Sequence, residues 1–475
     1  MKIRFGMGAV RASRLAALCG GEWIAEGDLD PVVNGLATHS GEVDAETAFV
    51  ALRGKRTDGL CFLPAARAAG CPCVLCEGTA GPPAIRVENA GAALRRLAAN
   101  WREQLAFRAV GITGSAGKTT AKELVANALS CEKRTFRTSG NHNSTLGMPL
   151  SLLEAAPGTE WAVLEMGMNA PGEIRELSRL ARPEIAVITN VGTAHVGAFG
   201  SREAIFAAKS EILEFLEPGG LFLQNADDDL LSRLHGKNFR TLSLSAKGRK
   251  ADFSANNIRV GPESTVFDLA WDGKTERDLS IPLAGAHFVS DALFAFAVGV
   301  VTGLSPDRVR EGLRIRPHLP LRQARTVIAG VTLIEDCYNA SPESMIAALD
   351  LLDALTEKAG RAVAVLGDMR ELGAMRTALH RRVGERVAES RIALLFTLGN
   401  GGSEIAAGAR GSGKFAGRIC ENRDFSDPET LAGTVGRDLR RGDVVLIKAS
   451  RAVGAERLGS ALKSFLWKKA GVDRV

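Results

Sequence analysis

The chain has 475 residues, too many for one ordinary core, and length alone suggests about three domains. Hydrophobic residues make up 45% and charged residues 24%, which is the composition of a folded globular chain and excludes long disorder or fibrous repeats. The net charge of +6 is spread without a basic block, and one tyrosine with five tryptophans offers few platforms for stacking bases, so small anionic substrates are expected and nucleic acid is not.

The opening stretch MKIRFGMGAVRASRLAALCGGEW places Arg11 and Arg14 where a secretory leader would need an apolar core. The longest apolar run, ALFAFAVGVV from Ala292, is shorter than the roughly 18 residues of a membrane span. A cytoplasmic protein without a membrane anchor is expected, and its eight cysteines should be reduced thiols. Short strand-like runs, TAFVALRG and CPCVLCEG, precede the helix-like AGAALRRLAANWREQL. Cys71, Cys73 and Cys76 could form a zinc knuckle, but no second Cys/His pair follows at finger spacing, and the same run also fits a buried strand edge.

FRAVGITG then reads as a strand entering GITGSAGKTT, residues 111–120. The usual phosphate-binding spacing G-x-x-x-x-G-K-[ST] needs a glycine where this chain has Ile112, so the loop is a compact variant. Ala121, Leu124, Val125, Ala128 and Leu129 recur at helical spacing after it. Strand, glycine loop and helix together make a phosphate cradle of Gly114, Ser115, Ala116, Gly117, Lys118, Thr119 and Thr120. Lys118 supplies a point charge for β/γ oxygens, and Thr119 a hydroxyl for Mg2+. The alternative is a plain Gly/Ser turn with a solvated lysine.

From here to about residue 316, WAVLEMG, GEIRELSRLA, EIAVITNVG, REAIFAAKSEILEFL and GGLFLQN alternate strand and helix patterns, which predicts a parallel sheet with crossover helices. Glu165 ends one strand and His195 follows another, and the carboxyl ends of parallel strands share one crevice. Both could face the phosphates and a metal, although Mg2+ prefers oxygen; singly, they also read as a capping acid and a loop histidine. Lys209 falls four residues after Ile205, over the buried stripe of its helix. It is either a snorkelling lysine or a desolvated amine open to covalent modification. After Pro317 and Pro320, VTLIEDCYN, RAVAVLGDM, IALLFTLGN and DVVLIKAS predict a second α/β unit. The expected domains are 1–105, 106–316 and 317–475.

TGSAGKTTAKE, TSGNHNSTLGMPLSLL, EMGMNAPGEI, ITNVGTAHVGAFGS, AKSEI, EDCYNASPESM and VLGDMRELG, in this order, resemble the Mur ligases, whose phosphate loop has the compact Thr-Gly-x-x-Gly-Lys-Thr form. The resemblance covers nearly the whole chain and points to the branch that adds D-alanyl-D-alanine. It implies an α/β, three-domain architecture: an N-terminal uridine-nucleotide domain, a central P-loop ATPase built on a parallel sheet, and a C-terminal Rossmann-like ligase domain. It also implies ATP, two Mg2+ ions, and a monomer making peptidoglycan precursor from a UDP-muramyl tripeptide and D-alanyl-D-alanine. By the same resemblance Thr119, Glu165, His195 and a carbamylated Lys209 hold metal, while His287, Asp291, Arg322 and Asp336 serve the nucleotide and domain closure. Ser40, Asn141 and Asn143 fall to the UDP substrate, and Asn339, Ser341 and Lys448 to the dipeptide. The family's N-terminal Asp-Ser-Arg reads His39-Ser40-Gly41 here, its Asp-Gly-His reads Asp58-Gly59-Leu60, and Asp291 stands where asparagine is usual. A related ligase for another carboxylate, a small-molecule kinase or NTPase, and a non-catalytic binding protein are the rival readings.

Overall fold

The computed structural model describes residues 1–54, 57–356 and 360–471, and it is a mixed α/β protein with three main sheets. None of the described helices is long and apolar enough to cross a membrane.

The first sheet runs Lys2–Arg4, Gly35–Ala37, Thr47–Ala51, Val74–Glu77, Ala84–Val87, Glu22–Ile24, with parallel pairing inside and antiparallel pairing at both edges. Helix Ala90–Leu105 packs on it through Leu94, Leu97, Ala98 and Trp101, and Asn89 caps its start by accepting from the Ala92 amide. In the same helix Arg102 donates to the Ala181 carbonyl and so ties this unit to the next. Cys73 and Cys76 are core residues, the Cys71 thiol donates to the Cys73 carbonyl, and burial pushes all three thiols up. A zinc site needs thiolates, so the packed strand is the reading these side chains favour.

The second sheet has nine strands in the order Thr135–Arg137, Trp161–Glu165, Arg108–Thr113, Ile185–Ile188, Leu221–Asn225, Arg240–Ser245, Phe253–Val260, Thr265–Trp271, Lys274–Ile281. Its inner strands are buried along their length because helices cover both faces, which is why they read as continuous apolar runs. The expectation of a wholly parallel sheet fails at one edge, where the last three strands form an antiparallel meander. Asp272 and Gly273 join its last two strands as a two-residue hairpin, both at positive φ. That Asp-Gly pair was the signal in the sequence, since such a turn needs no crossover helix. The helix expected across REAIFAAKSEILEFL also ends early: it spans Arg202–Ser210 and tightens into a 3-10 turn at Glu211–Leu213. There Glu211 accepts from the Gly172 and Arg175 amides, capping the helix Glu173–Ala181.

The third sheet runs Ala324–Ile328, Val331–Asp336, Val444–Lys448, Ala362–Leu366, Ile392–Leu398, Arg418–Asn422, parallel except for its first hairpin. Four of these strands were legible as apolar runs. The two edge strands were not, because half their residues face solvent.

Candidate active site

Strand Arg108–Thr113 lies between Trp161–Glu165 and Ile185–Ile188, so the chain order reverses about it and a crevice opens at its carboxyl end. The compact loop turns there into helix Lys118–Ser130, whose first amides have no intrahelical acceptor. Gly117 has φ 83°, and a Cβ on it would lie 2.7 Å from Asp291 Oδ1; one on Gly114 would lie 1.8 Å from Thr189 Oγ1. Asn190 holds the loop from the side, its carbonyl accepting from the Ser115 amide and its Oδ1 from the Ala116 amide, both at 3.0 Å. Ser115 and Ala116 thus spend their amides on shaping the loop, and those of Lys118, Thr119 and Thr120 remain for an anion. Gly114→Ala should therefore weaken nucleotide binding at least tenfold and lower the melting temperature by at least about 2 °C, read by titration and calorimetry.

Lys118 Nζ folds back onto the Gly114 carbonyl at 2.7 Å. Burial lowers its pKa, with Arg322 adding to this and Glu165 opposing it. Thr119 Oγ1 donates to Glu165 Oε1 at 3.3 Å and accepts from Arg322 Nη2 at 3.1 Å, and Asn143 Nδ2 donates to the same Glu165 oxygen at 2.7 Å. The other carboxylate oxygen, Glu165 Oε2, is buried without a hydrogen-bond partner. Lys122 Nζ lies 3.8 Å from it, and a buried carboxylate oxygen free of hydrogen bonds beside a hydroxyl suits a hard, oxygen-seeking cation. No three described His, Cys, Asp or Glu side chains form a ready-made metal cage. Mg2+ does not require one, since it commonly uses one or two carboxylates together with substrate phosphates and water.

Lys209 is 2% exposed, and its side-chain amine makes no hydrogen bond or ion pair among the described residues. A snorkelling lysine would expose its tip, and this one does not. Burial, and secondarily the nearby Lys118, push its pKa well below the usual lysine value. Asp291, packed against Gly117, is pushed well above the carboxylate range by burial, with Arg322 opposing. Lys122 was not singled out from the sequence, because its helix is buried on every side and offers no polar stripe to read. It is fully buried and donates to the Thr138 and Gly140 carbonyls at 2.9 Å, with Glu123 at 3.1 Å.

The third sheet's unit closes over this crevice. Arg322 stacks on Tyr338 at 4.1 Å while reaching Thr119, and Glu343 accepts from the Thr193 amide and hydroxyl at 2.8 and 2.9 Å. His195 Nδ1 lies 2.5 Å from Glu371 Oε2, so this histidine sits at the seam between units and has no hydrogen bond to Glu165 or Thr119. Glu343 and Glu371 lie within the stretches that carry the family resemblance, yet only the docked third unit gives them a role. His287, exposed to solvent, has Nε2 at 3.3 Å from Gln323 Nε2. Lys448 donates to Asp336 at 2.6 Å and to the Asn339 carbonyl at 3.1 Å, which joins three of the expected residues at neighbouring strand ends. Ser341 caps the helix Pro342–Thr356 through reciprocal bonds with Ser344. Asn141 and Asn143 stay near Glu165, with the Asn141 carbonyl accepting from the Asn143 amide. Ser40 is apart from them, in a short turn of the first unit where His39 Nδ1 accepts from the Gly41 amide at 3.1 Å.

The pattern of the Mur ligase middle domain matches residues 112–299, and that of the Mur ligase glutamate ligase domain matches residues 322–451. The UDP-N-acetylmuramoyl-tripeptide–D-alanyl-D-alanine ligase of Bacillus subtilis is 35% identical, over 90% of this chain and 92% of its own. The Escherichia coli enzyme of the same name is 33% identical, over 91% and 94%. Among solved structures, MurF from Acinetobacter baumannii superposes with a TM-score of 0.87 at 30% identity, covering 97% of this chain and all of that one. MurF from Thermotoga maritima, solved with ADP, gives 0.79 at 29% identity, covering 91% and 98%.

Proposed function

The chain belongs to the Mur ligase family, and from that premise we propose that it joins D-alanyl-D-alanine to a UDP-N-acetylmuramoyl-tripeptide in peptidoglycan precursor synthesis, consuming ATP. The observation that carries this reading is the convergence of Lys118, Thr119, Glu165 and Arg322 at one crevice, with one of them contributed by the closing unit.

Joining a carboxylate to an amine in water is uphill, so the acid must first become an acyl donor. The tripeptide carboxylate attacks the γ-phosphorus and ADP leaves; the dipeptide amine then attacks the acyl phosphate carbon, loses a proton, and phosphate departs. Lys118 swings from the Gly114 carbonyl to the phosphate oxygens, where charge builds during the first step. Thr119, Glu165 and His195, with Lys209 as a carbamate, would hold two Mg2+ ions, which neutralise phosphoryl charge when bound. His287, Asp291 and Asp336 line the nucleoside side. Lys448 and Asn339, at strand ends of the third sheet, meet the dipeptide, and Ser341 fixes the helix beside them. The seam contacts of Arg322, Glu343 and Glu371 keep the third unit closed, excluding the water that would hydrolyse an acyl phosphate. The enzyme works as a cytoplasmic monomer in this reading.

Mixing ATP, Mg2+, D-alanyl-D-alanine and a UDP-muramyl tripeptide carrying diaminopimelate or lysine, then weighing the product, tests it. The expected result is the amide adduct with ADP and phosphate released only when both acceptor and donor are present. ATP turnover without the dipeptide would instead support a kinase or NTPase. The His39-Ser40-Gly41 departure favours one second reading, a ligase for another carboxylate, which absence of thermal stabilisation by millimolar tripeptide would support. Arg322→Ala should raise the KM for ATP on the order of tenfold, because one charge-assisted contact is lost, and steady-state kinetics reads it.

A further inference from the structure

His195 and Glu371 face each other across the seam from two different units, and both are non-glycine residues in the left-handed region, at φ 66° and 65°. Side chains rarely adopt that backbone conformation, and here two meet, so the surrounding fold over-determines both. The fixing contacts are visible: the Gly197 amide donates to the Glu371 carbonyl at 2.9 Å, and a Cβ on Gly197 would lie 2.5 Å from the Gly373 amide nitrogen. The two loops are pressed backbone to backbone, which aims the Glu371 carboxylate at one particular ring nitrogen.

A carboxylate can only accept, so the 2.5 Å contact puts a proton on His195 Nδ1, and in the neutral ring the lone pair is then on Nε2. We propose that Glu371 is a positioning residue for metal: docking of the third unit sets the His195 tautomer and ring orientation, so that the closed arrangement completes a metal-binding nitrogen that the open one lacks. The proposal rests on His195 being a metal ligand. Metal-bound histidines commonly give their second N–H to a carboxylate, and removal of that carboxylate weakens metal binding by about 10- to 100-fold. By linkage, metal must favour closure as much as closure favours metal.

The test uses the full chain with ADP and Mn2+ as the paramagnetic probe. Glu371→Asn tolerates the left-handed backbone but is too short to reach the ring, and Glu371→Gln keeps an acceptor oxygen at full length. Titration followed by electron paramagnetic resonance should show one Mn2+ weakened about 10- to 100-fold in Glu371→Asn, with loss of the imidazole nitrogen coupling. Glu371→Gln should recover at least part of both, and the Glu371 variants should remain folded, as a cooperative melting transition would show. A merely structural seam contact would not move the nitrogen coupling. If His195→Ala weakens Mn2+ while Glu371→Asn binds as wild type, the positioning role is overturned and His195 stands as a ligand. If wild type shows no nitrogen coupling and His195→Ala binds Mn2+ normally, the ligand reading falls and the proposal falls with it.

Discussion

Lys209→Ala should lower ligation on the order of 1000-fold while ADP affinity stays within a few-fold of wild type. The amine is wholly buried, unpaired, and beside the Lys118 charge, so as an ammonium it would add a second cation to a dry site. Carbon dioxide would remove the difficulty: the neutral amine would attack it, lose a proton, and become an anion that Lys118 favours. A short carboxylic acid added to the alanine variant should restore part of the activity by supplying that anion in trans. Wild-type activity in the variant would end the carbamate role. The pH dependence has a definite sign. With the folded pKa depressed, the unmodified protein is penalised at low pH and gains stability as pH climbs from the lowered pKa towards 10.5. Lys209→Met should accordingly melt higher than wild type in carbon dioxide-free neutral buffer, because an unpaired buried amine is exchanged for an apolar chain of similar length.

Lys118→Ala should be comparably severe, on the order of 100- to 1000-fold in turnover, and should weaken ATP more than ADP. In the proposed first step the side chain would leave the Gly114 carbonyl for the oxygens that gain charge, which would make its contribution larger in the transition state than in the ground state. Lys118→Arg should not recover the loss, because a planar fork does not replace the compact ammonium that folds onto the Gly114 carbonyl. Isothermal titration with both nucleotides, alongside ADP release under saturating substrates, separates the two effects. Equal loss for ATP and ADP would show that the lysine serves the loop's shape and not the γ-phosphate.

Much of the central fold could be read from the chain because its physics is local. A parallel strand buried on both faces must be apolar throughout, so Arg108–Thr113, Trp161–Glu165 and Ile185–Ile188 announced themselves. The glycine loop was legible for the same reason: strand, turn and helix are consecutive, and Lys118 and Thr119 follow at fixed offsets. The antiparallel meander after Phe253 and the edge strands of the third sheet were harder, since solvent on one side dilutes the apolar signal.

The sequence by itself determined the loop, the strand-end acid Glu165, and the awkward placement of Lys209 on an apolar helix face. It could not tell a snorkelling lysine from a buried one, because four residues of spacing fix the helix face and not what covers it. Tertiary structure decided that, and it brought Arg322, Glu343 and Glu371 from 150 to 203 residues away onto the phosphate loop and the loop after Ile185–Ile188. Such pairings depend on how separate sheets dock. Docking is a property of surfaces assembled from distant stretches, so no local window of the chain carries it.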